Sequence, residues 1–480
     1  MIFHIAKREI YDHLTSLRFA LTLVLLVLLM IANAVGHLGQ YEARVRDYRQ
    51  QVDESQDNLR KHTAEMYRLV QNGPGALYKK PSPLAFCGNT SESLLSDYAE
   101  GSLTGKQWIA AGKWPNRVWI SDTWWLSYPQ IREVERNVMP KFTQIDWAFI
   151  ISVVLSFVAI LFTFDAVSGE REHGSLRLAV ANPIPRGVFL LGKFVGAFVS
   201  IVLPFLVAVL INLFLLSSAQ SLSLGGYNWA SLAVIVLCAM LYICLFIALG
   251  LLVSIRVEQS SMGLMVLVLI WTLFVVLIPN TVGSVSRDVK NYPPQAEFTR
   301  HLEHLHQGLY DQLINIELPP VREIPATKAT KAWSDYIDQR AYLHDREVEA
   351  YISKQIAQIQ VSRSLSRISP AATVRYAIES LAGTGLERHL QFMKGARQYG
   401  LAFREFLIAA DAADSESPHA PGVPQGASQK PVAFDAIPKF EDRATFSGSL
   451  NAAIQDILLL ALFMVVLFAL AYLSFLRIDV

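Results

Sequence analysis

The residues able to do chemistry are few, and each invites a specific test. Gly187-Val-Phe-Leu-Leu-Gly192-Lys193-Phe194 approaches a phosphate-binding loop, in which glycine amides and a lysine cradle phosphates. It fails at its end, because Phe194 has no hydroxyl for magnesium and the segment enters an apolar run instead of following a strand. Gly192 and Gly196 lie four apart, a spacing that lets a neighbouring helix approach closely, and Lys193 is expected to snorkel to the headgroups. His301, Glu303, His304 and His306 crowd one stretch, with His301 and His304 on one helical face. Imidazoles so placed bind zinc or copper only with further ligands in defined geometry, so a solvated polar face is the expectation and no metal is assigned. No Ser-His-Asp or Cys-His set has a workable spacing, and Glu347 and Glu349 sit in a highly charged stretch. No residue is assigned a catalytic role, and the chain is not expected to be an enzyme.

The stronger signal is mechanical. Asp165-Ala-Val-Ser-Gly-Glu-Arg-Glu-His-Gly-Ser-Leu-Arg177, followed by Asn182-Pro-Ile-Pro-Arg186, packs charges of both signs into one helix-competent segment broken at Gly174. A membrane protein that receives force from a soluble ATPase needs such a compact element, able to make ion pairs and to be pushed as a unit. Taken alone, it reads rather as an ordinary positive-inside loop. Residues 1–17 form an amphipathic helix, with Ile2, Phe3, Ala6, Ile10, Leu14 and Leu17 on one side and Lys7, Arg8 and Asp12 elsewhere, suited to the membrane interface.

These segments are positioned by long apolar runs. The 480 residues are 52% hydrophobic and only 17% charged, with a formal net charge of +1. The charge deficit argues against a soluble enzyme, and a near-neutral chain without a basic patch argues against nucleic acid. A bilayer core takes about 20 apolar residues per helix, and six runs qualify. The expected organisation is an interfacial helix at 1–17, spans at 18–38, 147–164, 188–216, 229–253, 261–278 and 456–476, a cytoplasmic loop at 165–187, and two insertions at 39–146 and 279–455. The fold class is thus an all-α integral membrane protein whose two helical extracytoplasmic insertions form one bundle-like domain. The first run follows Lys7, Arg8 and Arg18 and contains Ala32-Asn-Ala34, as a cleaved signal would, but Glu9 and Asp12 precede it and it exceeds a signal core. An uncleaved first helix is expected. Arginines 171, 177, 186, 256 and 477 share one side with the N-terminus, which places both termini in the cytoplasm and the insertions outside. Asn212 and Tyr242, the main polar side chains inside the runs, suit interhelical hydrogen bonds, and the lack of buried carboxylates disfavours an ion-coupled carrier.

After the first span, Tyr41, Val45, Tyr48, Val52, Leu59, Met66 and Leu69 recur at three- and four-residue steps, the seam of a packed helix. Phe298, Leu302, Leu305, Leu309 and Ile316 offer a partner stripe, and 332–366 is again helix-like. Ser369-Pro370 opens a helix that ends near Gly383-Thr-Gly385, and another runs from about Leu386 to Ala410. Ser415 to Ser428 lacks apolar side chains and is expected to be a mobile loop. Residues 72–140, with Trp108, Trp114, Trp119, Trp124 and Trp125 but no clear period, yield no fold. Three cysteines make no disulfide framework, and Cys87 is expected to be free or paired between chains.

The interfacial helix, six spans and Ser168-Gly-Glu-Arg-Glu-His-Gly-Ser-Leu176 between the second and third together resemble the permease subunits of ABC-2 type transporters. Pro81-Ser-Pro-Leu84, Ser369-Pro370 through Leu381-Ala-Gly-Thr-Gly385, Ile437-Pro-Lys-Phe440 and Arg477-Ile-Asp-Val480 resemble the signatures of the subgroup with large extracytoplasmic insertions. Its relatives include permeases of nitrous-oxide reductase maturation and of gliding motility. The resemblance implies an exporter subunit of a bacterial inner membrane that binds no cofactor itself. It further implies two ATP-binding subunits carrying ATP and magnesium, a second permease chain, identical or a sister, and surrounding lipid. Within it, Glu170, Arg171, Glu172, Gly174, Ser175 and Leu176 are expected to couple to the ATPase, with Lys7 and Arg8 on the bracing helix. A second reading is a transmitter whose insertions act on a periplasmic partner without moving cargo, and a third is a receptor with no ATPase.

Overall fold

The computed structural model describes residues 2–89, 98–102, 107–109, 118–120, 125–127, 145–176, 185–218, 224–285, 293–314, 328–419 and 426–477. Among the described residues, six segments are long and apolar enough to cross a membrane: Leu17–His62, Trp147–Glu172, Arg186–Ser217, Gly226–Arg256, Ser260–Thr281 and Phe446–Leu476. The chain is a multi-pass membrane protein. Helix α1 (Ile2–Leu14) precedes them and stops at Ser16, whose hydroxyl accepts the Phe19 N–H and caps α2 (Leu17–His62). The first apolar run and the seam beyond it are therefore one continuous helix. A short α3 (Met66–Asn72) follows.

Asp146 opens the second span by accepting the Phe149 N–H at 2.7 Å. That span comprises α4 (Trp147–Phe149), a π turn (Ile150–Leu155) and α5 (Ser156–Thr163), and a five-residue α6 (Ser168–Glu172) trails it. Then come α7 (Arg186–Ser217), α8 (Gly226–Arg256) and α9 (Ser260–Trp271), which continues through a second π turn (Thr272–Leu277) into α10 (Ile278–Val285). The second insertion supplies α11 (Gln295–Ile314), α12 (Lys328–Ser366), α13 (Pro370–Ala382) and α14 (Leu386–Ala412), and α15 (Phe446–Leu476) is the last span.

A π turn misaligns backbone carbonyls and leaves them open to other donors. Both turns here are used that way: the Tyr242 hydroxyl of α8 donates to Ser152 O at 2.9 Å, and the Ser369 hydroxyl donates to Phe274 O. Trp271 Nε1 reaches back to Ser156 Oγ at 2.9 Å, joining fifth span to second. Asn212, fully buried on α7, donates to Met30 O (2.6 Å) and Asn33 Oδ1 (2.9 Å) and accepts from Trp147 Nε1. Asn33 in turn donates to Phe86 O and Ile145 O, so one amide pair ties α2, α4 and α7 to the root of the first insertion. Gly250 lets α8 lie against α5, since a Cβ there would fall 1.8 Å from Thr163 Oγ1.

The insertions meet at the other end of the spans from the termini. Ser369 caps α13, Pro370 takes its first turn, and Gly383, at φ +69°, ends it in the left-handed conformation that favours glycine. Ser82 Oγ donates to Ala382 O and Thr384 Oγ1 to Gly88 O, both at 2.5 Å, so the Pro81–Leu84 and Ser369–Gly385 signatures form a single seam. Arg367 pairs with Asp456, fully buried on α15, at 2.5 Å. Further out, Met66, Leu69, Val70 and Leu77 share a hydrophobic cluster with Phe392, Ala396, Tyr399, Phe403, Leu407 and Ile437. Between α11 and α12, Phe298 stacks on Tyr351 with ring centres 4.0 Å apart.

Two expectations change here. The all-α description does not extend to the first insertion: β1 (Ala76–Tyr78), β2 (Tyr98–Ser102) and β5 (Trp125–Ser127) form an antiparallel sheet in the order β1-β2-β5, and β3 (Gln107–Ile109) pairs with β4 (Val118–Ile120). Strands of three to five residues carry too little alternation to show as a period. The flanks of the expected mobile loop are instead tied down: Asp411 accepts from Ser417 Oγ and the Ser428 N–H, and Asp414 accepts from Ser428 Oγ and Lys430 Nζ. That cluster of donors holds the Asp414 carboxyl down at about 2. Residues 420–425 of that loop lie outside the described residues, as do Trp114, Trp124, Arg177, 182–184, Ile316 and 478–480. Cys87 is free, one of the two expected alternatives, and burial, with Asp146 nearby, pushes its thiol well up.

Replacing Gly250 with alanine forces α5 and α8 apart and is expected to cost about 1–3 kcal/mol, read as a lowered melting temperature in detergent. Asn212→Leu strands the Trp147 N–H and the Asn33 amide oxygen in an apolar interior, with an expected loss of about 1–3 kcal/mol in the same assay. Unchanged melting in either variant would contradict the packing described.

Candidate functional site: a polar junction beside the chain termini

The segment after α5 is held in place by side chains from four other elements. Arg18, at the start of α2, pairs with Asp165 at 2.9 Å, donates to Leu161 O and lies over the Phe164 ring. The Val167 and Ser168 N–H groups donate to Ser254 Oγ of α8, and Ser168 Oγ lies 3.2 Å from both Ser254 Oγ and Ser260 Oγ. Two backbone N–H groups and three hydroxyls are thereby satisfied around the buried Ser168 and Ser254, as a buried polar site requires.

The three charged residues of α6 then divide the work. Arg171 donates to Val257 O and Ile255 O, at the C-terminal end of α8, where exposed carbonyls favour a cation. Glu172 accepts from the Ser260 N–H (2.8 Å) and Oγ (3.0 Å), where the first amides of α9 favour an anion. Glu170 turns the other way and pairs with Lys193 of α7 at 2.8 Å. Past α6, Gly174 at φ +72° reverses the chain, and Leu176 returns to the interior. Glu172, His173, Gly174 and Ser175 form the exposed tip.

Lys193 corrects an expectation. Its side chain is 3% exposed and does not reach the headgroups, because Glu9 of α1 pairs with it at 2.8 Å while Glu170 holds its other side. Helix α1 covers it by packing on the glycines: a Cβ at Gly192 would fall 2.7 Å from Ile5 Cγ2, and one at Gly196 would fall 2.5 Å from Glu9 Cβ. The apolar residues of α1 are therefore split. Ile5 and Ala6 face α7, while Phe3, Leu14 and the following Leu17 stay exposed, with Lys7 and Arg8 beside them. The resemblance to a phosphate loop ends here too, since Gly187 to Phe194 is helical and Lys193 is already doubly paired.

At the same end, Arg186 donates to Leu476 O at 2.6 Å and Arg256 to Ser474 Oγ, which ties the close of α15 to α7 and α8. Sequence reasoning passed over Glu9, Lys193, Ser254 and Ser260 as site residues. The available signals were a lysine beside a glycine at the start of an apolar run and a glutamate on the amphipathic N-terminal helix. Away from this junction, His301 and His304 are exposed, His301 lying 3.6 Å from Glu347, whereas His306 stacks on His344. Burial, with Arg340 nearby, pulls both members of that stacked pair down to about 4. Among the described residues no group of three or more His, Cys, Asp or Glu side chains is placed to hold a metal ion.

With this geometry in view, comparison with known proteins is specific. The "Probable ABC transporter permease protein NosY" of Stutzerimonas stutzeri is 30% identical over 135 residues, 27% of this chain and 47% of its own length. The protein of the same name from Pseudomonas aeruginosa is 30% identical over 128 residues, 26% and 45% of the two chains. The chain spans about half the length of these curated relatives. The family model described as ABC-2 family transporter protein matches residues 3–480. A six-span chain matched almost end to end by that family belongs to it: this is an ABC-2 family transporter protein.

Proposed function

We propose that the chain is the permease subunit of an ATP-binding cassette exporter, worked by separate ATP-binding subunits that dock on the 165–176 element. In this reading two ATP-binding subunits carry the ATP and magnesium, and a second permease chain, identical or a sister, completes the membrane unit. It sits in a bacterial inner membrane with both termini in the cytoplasm and the insertions in the periplasm. The observation that carries the reading is the division of labour in α6. Arg171 and Glu172 grip the adjoining ends of α8 and α9, Glu170 grips α7, and the exposed tip at 173–175 projects beyond these attachments. Displacement of the tip is thereby delivered to the third, fourth and fifth spans together. Glu170, Arg171 and Glu172 act as transmitters, and His173, Gly174 and Ser175 provide the docking surface. Lys7 and Arg8 on the exposed side of α1 face anionic headgroups.

A specific observation also supports the second reading, in which the stroke remodels a periplasmic partner. Arg367–Asp456 and Ser369–Phe274 fasten the second insertion to the sixth and fifth spans, so movement of those spans reaches the outer hydrophobic cluster. Cargo accumulation in inverted vesicles supports the exporter, and partner remodelling without accumulation supports the transmitter.

A photo-crosslinking amino acid at His173 or Ser175 is expected to capture an ATP-binding subunit in membranes, and its failure at both positions would contradict docking here. Replacing Glu170, Arg171 and Glu172 together with alanine is expected to lower transport-coupled ATP hydrolysis at least about tenfold, the loss of roughly 1.4 kcal/mol of coupling. Co-purification of the ATP-binding subunit should persist, because the tip backbone remains, and full activity in that variant would refute the transmitting role.

A further inference from the structure

We propose that Lys193 is the positioning residue that makes α1 and the 165–176 element one moving body. The inference rests on the coupling reading above and assigns it a second path, toward the N-terminal helix as well as toward α8 and α9. Lys193 Nζ stands 2.8 Å from Glu9 Oε1 and 2.8 Å from Glu170 Oε1, so a single ammonium is shared by carboxylates from two separate elements. A lysine suits this place because its three donors rotate freely about a compact charge, where a planar guanidinium would fix the direction of both pairs.

The electrostatic tie coincides with a steric seat. Gly192 and Gly196 flank Lys193 on the face where α1 lies, and an added Cβ at either would overlap Ile5 or Glu9. Helix α1 thus has a defined position on α7, with Glu9 delivered to the ammonium. On the other side, Glu170 Oε2 is buried with no hydrogen-bond partner among the described residues, so its carboxylate depends on Lys193 through Oε1. Withdrawing Glu170 would leave the buried Lys193 ammonium with one carboxylate in place of two, a state that burial disfavours. When the tip moves, Glu170, Lys193 and Glu9 therefore move together, and α1 slides in the interface on its exposed Phe3, Tyr11 and Leu14 face.

The test is electron–electron distance measurement on the full chain, co-purified with its ATP-binding partner and held in nanodiscs, with and without a trapped ATP analogue. Spin labels are placed at Tyr11→Cys and Ser175→Cys in one sample and at Val35→Cys and Ser175→Cys in another, with the part-buried Cys244 replaced by alanine. In the unmutated background, trapping is expected to shift the Val35–Ser175 distance while the Tyr11–Ser175 distribution stays narrow and in place. Lys193→Met is expected to broaden and shift the Tyr11–Ser175 distribution on trapping, and Lys193→Arg to restore much of its sharpness. Glu170→Gln, which preserves the Glu9–Lys193 pair, is read in the same way if Lys193→Met does not insert. A Tyr11–Ser175 distance that changes in the unmutated chain, or one that stays narrow and fixed in both Lys193→Met and Glu170→Gln, overturns the proposal. If trapping leaves Val35–Ser175 unmoved, the coupling reading itself falls, and this inference falls with it.

Discussion

A charge removed from water must be paired, and at the terminal end of this protein that requirement organises the structure. One lysine ammonium sits under α1 with two carboxylates upon it. Burying it unpaired would be costly, so the carboxylates of α1 and α6 are drawn onto α7. Once they are together, the remaining charges of α6 fall onto the ends of α8 and α9, where helix dipoles favour their signs. The short element after the second span is therefore a hub between spans, a property that follows from its polarity inside an apolar setting.

The opposite end is governed by the same rule with different chemistry. Here backbone groups dominate: the carbonyls of Met30, Phe86, Ile145, Ser152 and Phe274 each receive a side-chain donor from a distant segment. The two π turns supply two of these acceptors, Ser152 O and Phe274 O, so local helix irregularity is converted into attachment between segments. Asp456 and Arg367 add the one ion pair between the last span and the second insertion among the described residues. Between the two polar ends lie close-packed apolar faces, with Gly250 against Thr163 as the tightest approach. A body fastened at both ends and close-packed between is suited to carrying displacement across a bilayer, because packed interiors deform little.

Much of this was legible beforehand because the bilayer leaves few solutions. Apolar runs of span length must be helices, and the polar residues within them, Asn212 and Tyr242, had to find interhelical partners, as they do. Ser369-Pro370 and Gly383 mark the ends of α13 through capping chemistry that is local in sequence. Lys193 was misread because snorkelling is the usual escape for a lysine near a helix end. What prevents it is α1, brought over from more than 180 residues away in the chain by Gly192 and Gly196. The seam of Ser82 with Ala382 spans 300 residues and carries no local signature of its partner. The strands of the first insertion are too short to alternate visibly, and Gly, Pro and Trp there obscure any period.

In the proposed function, this membrane chain takes its energy from a separate ATP-binding protein seated beside its termini. Native mass measurement of the complex, extracted in mild detergent with an ATP analogue present, tests that most directly. Assemblies containing ATP-binding subunits bound to two permease chains are expected. An intact, folded chain recovered only by itself or only with copies of itself would contradict it.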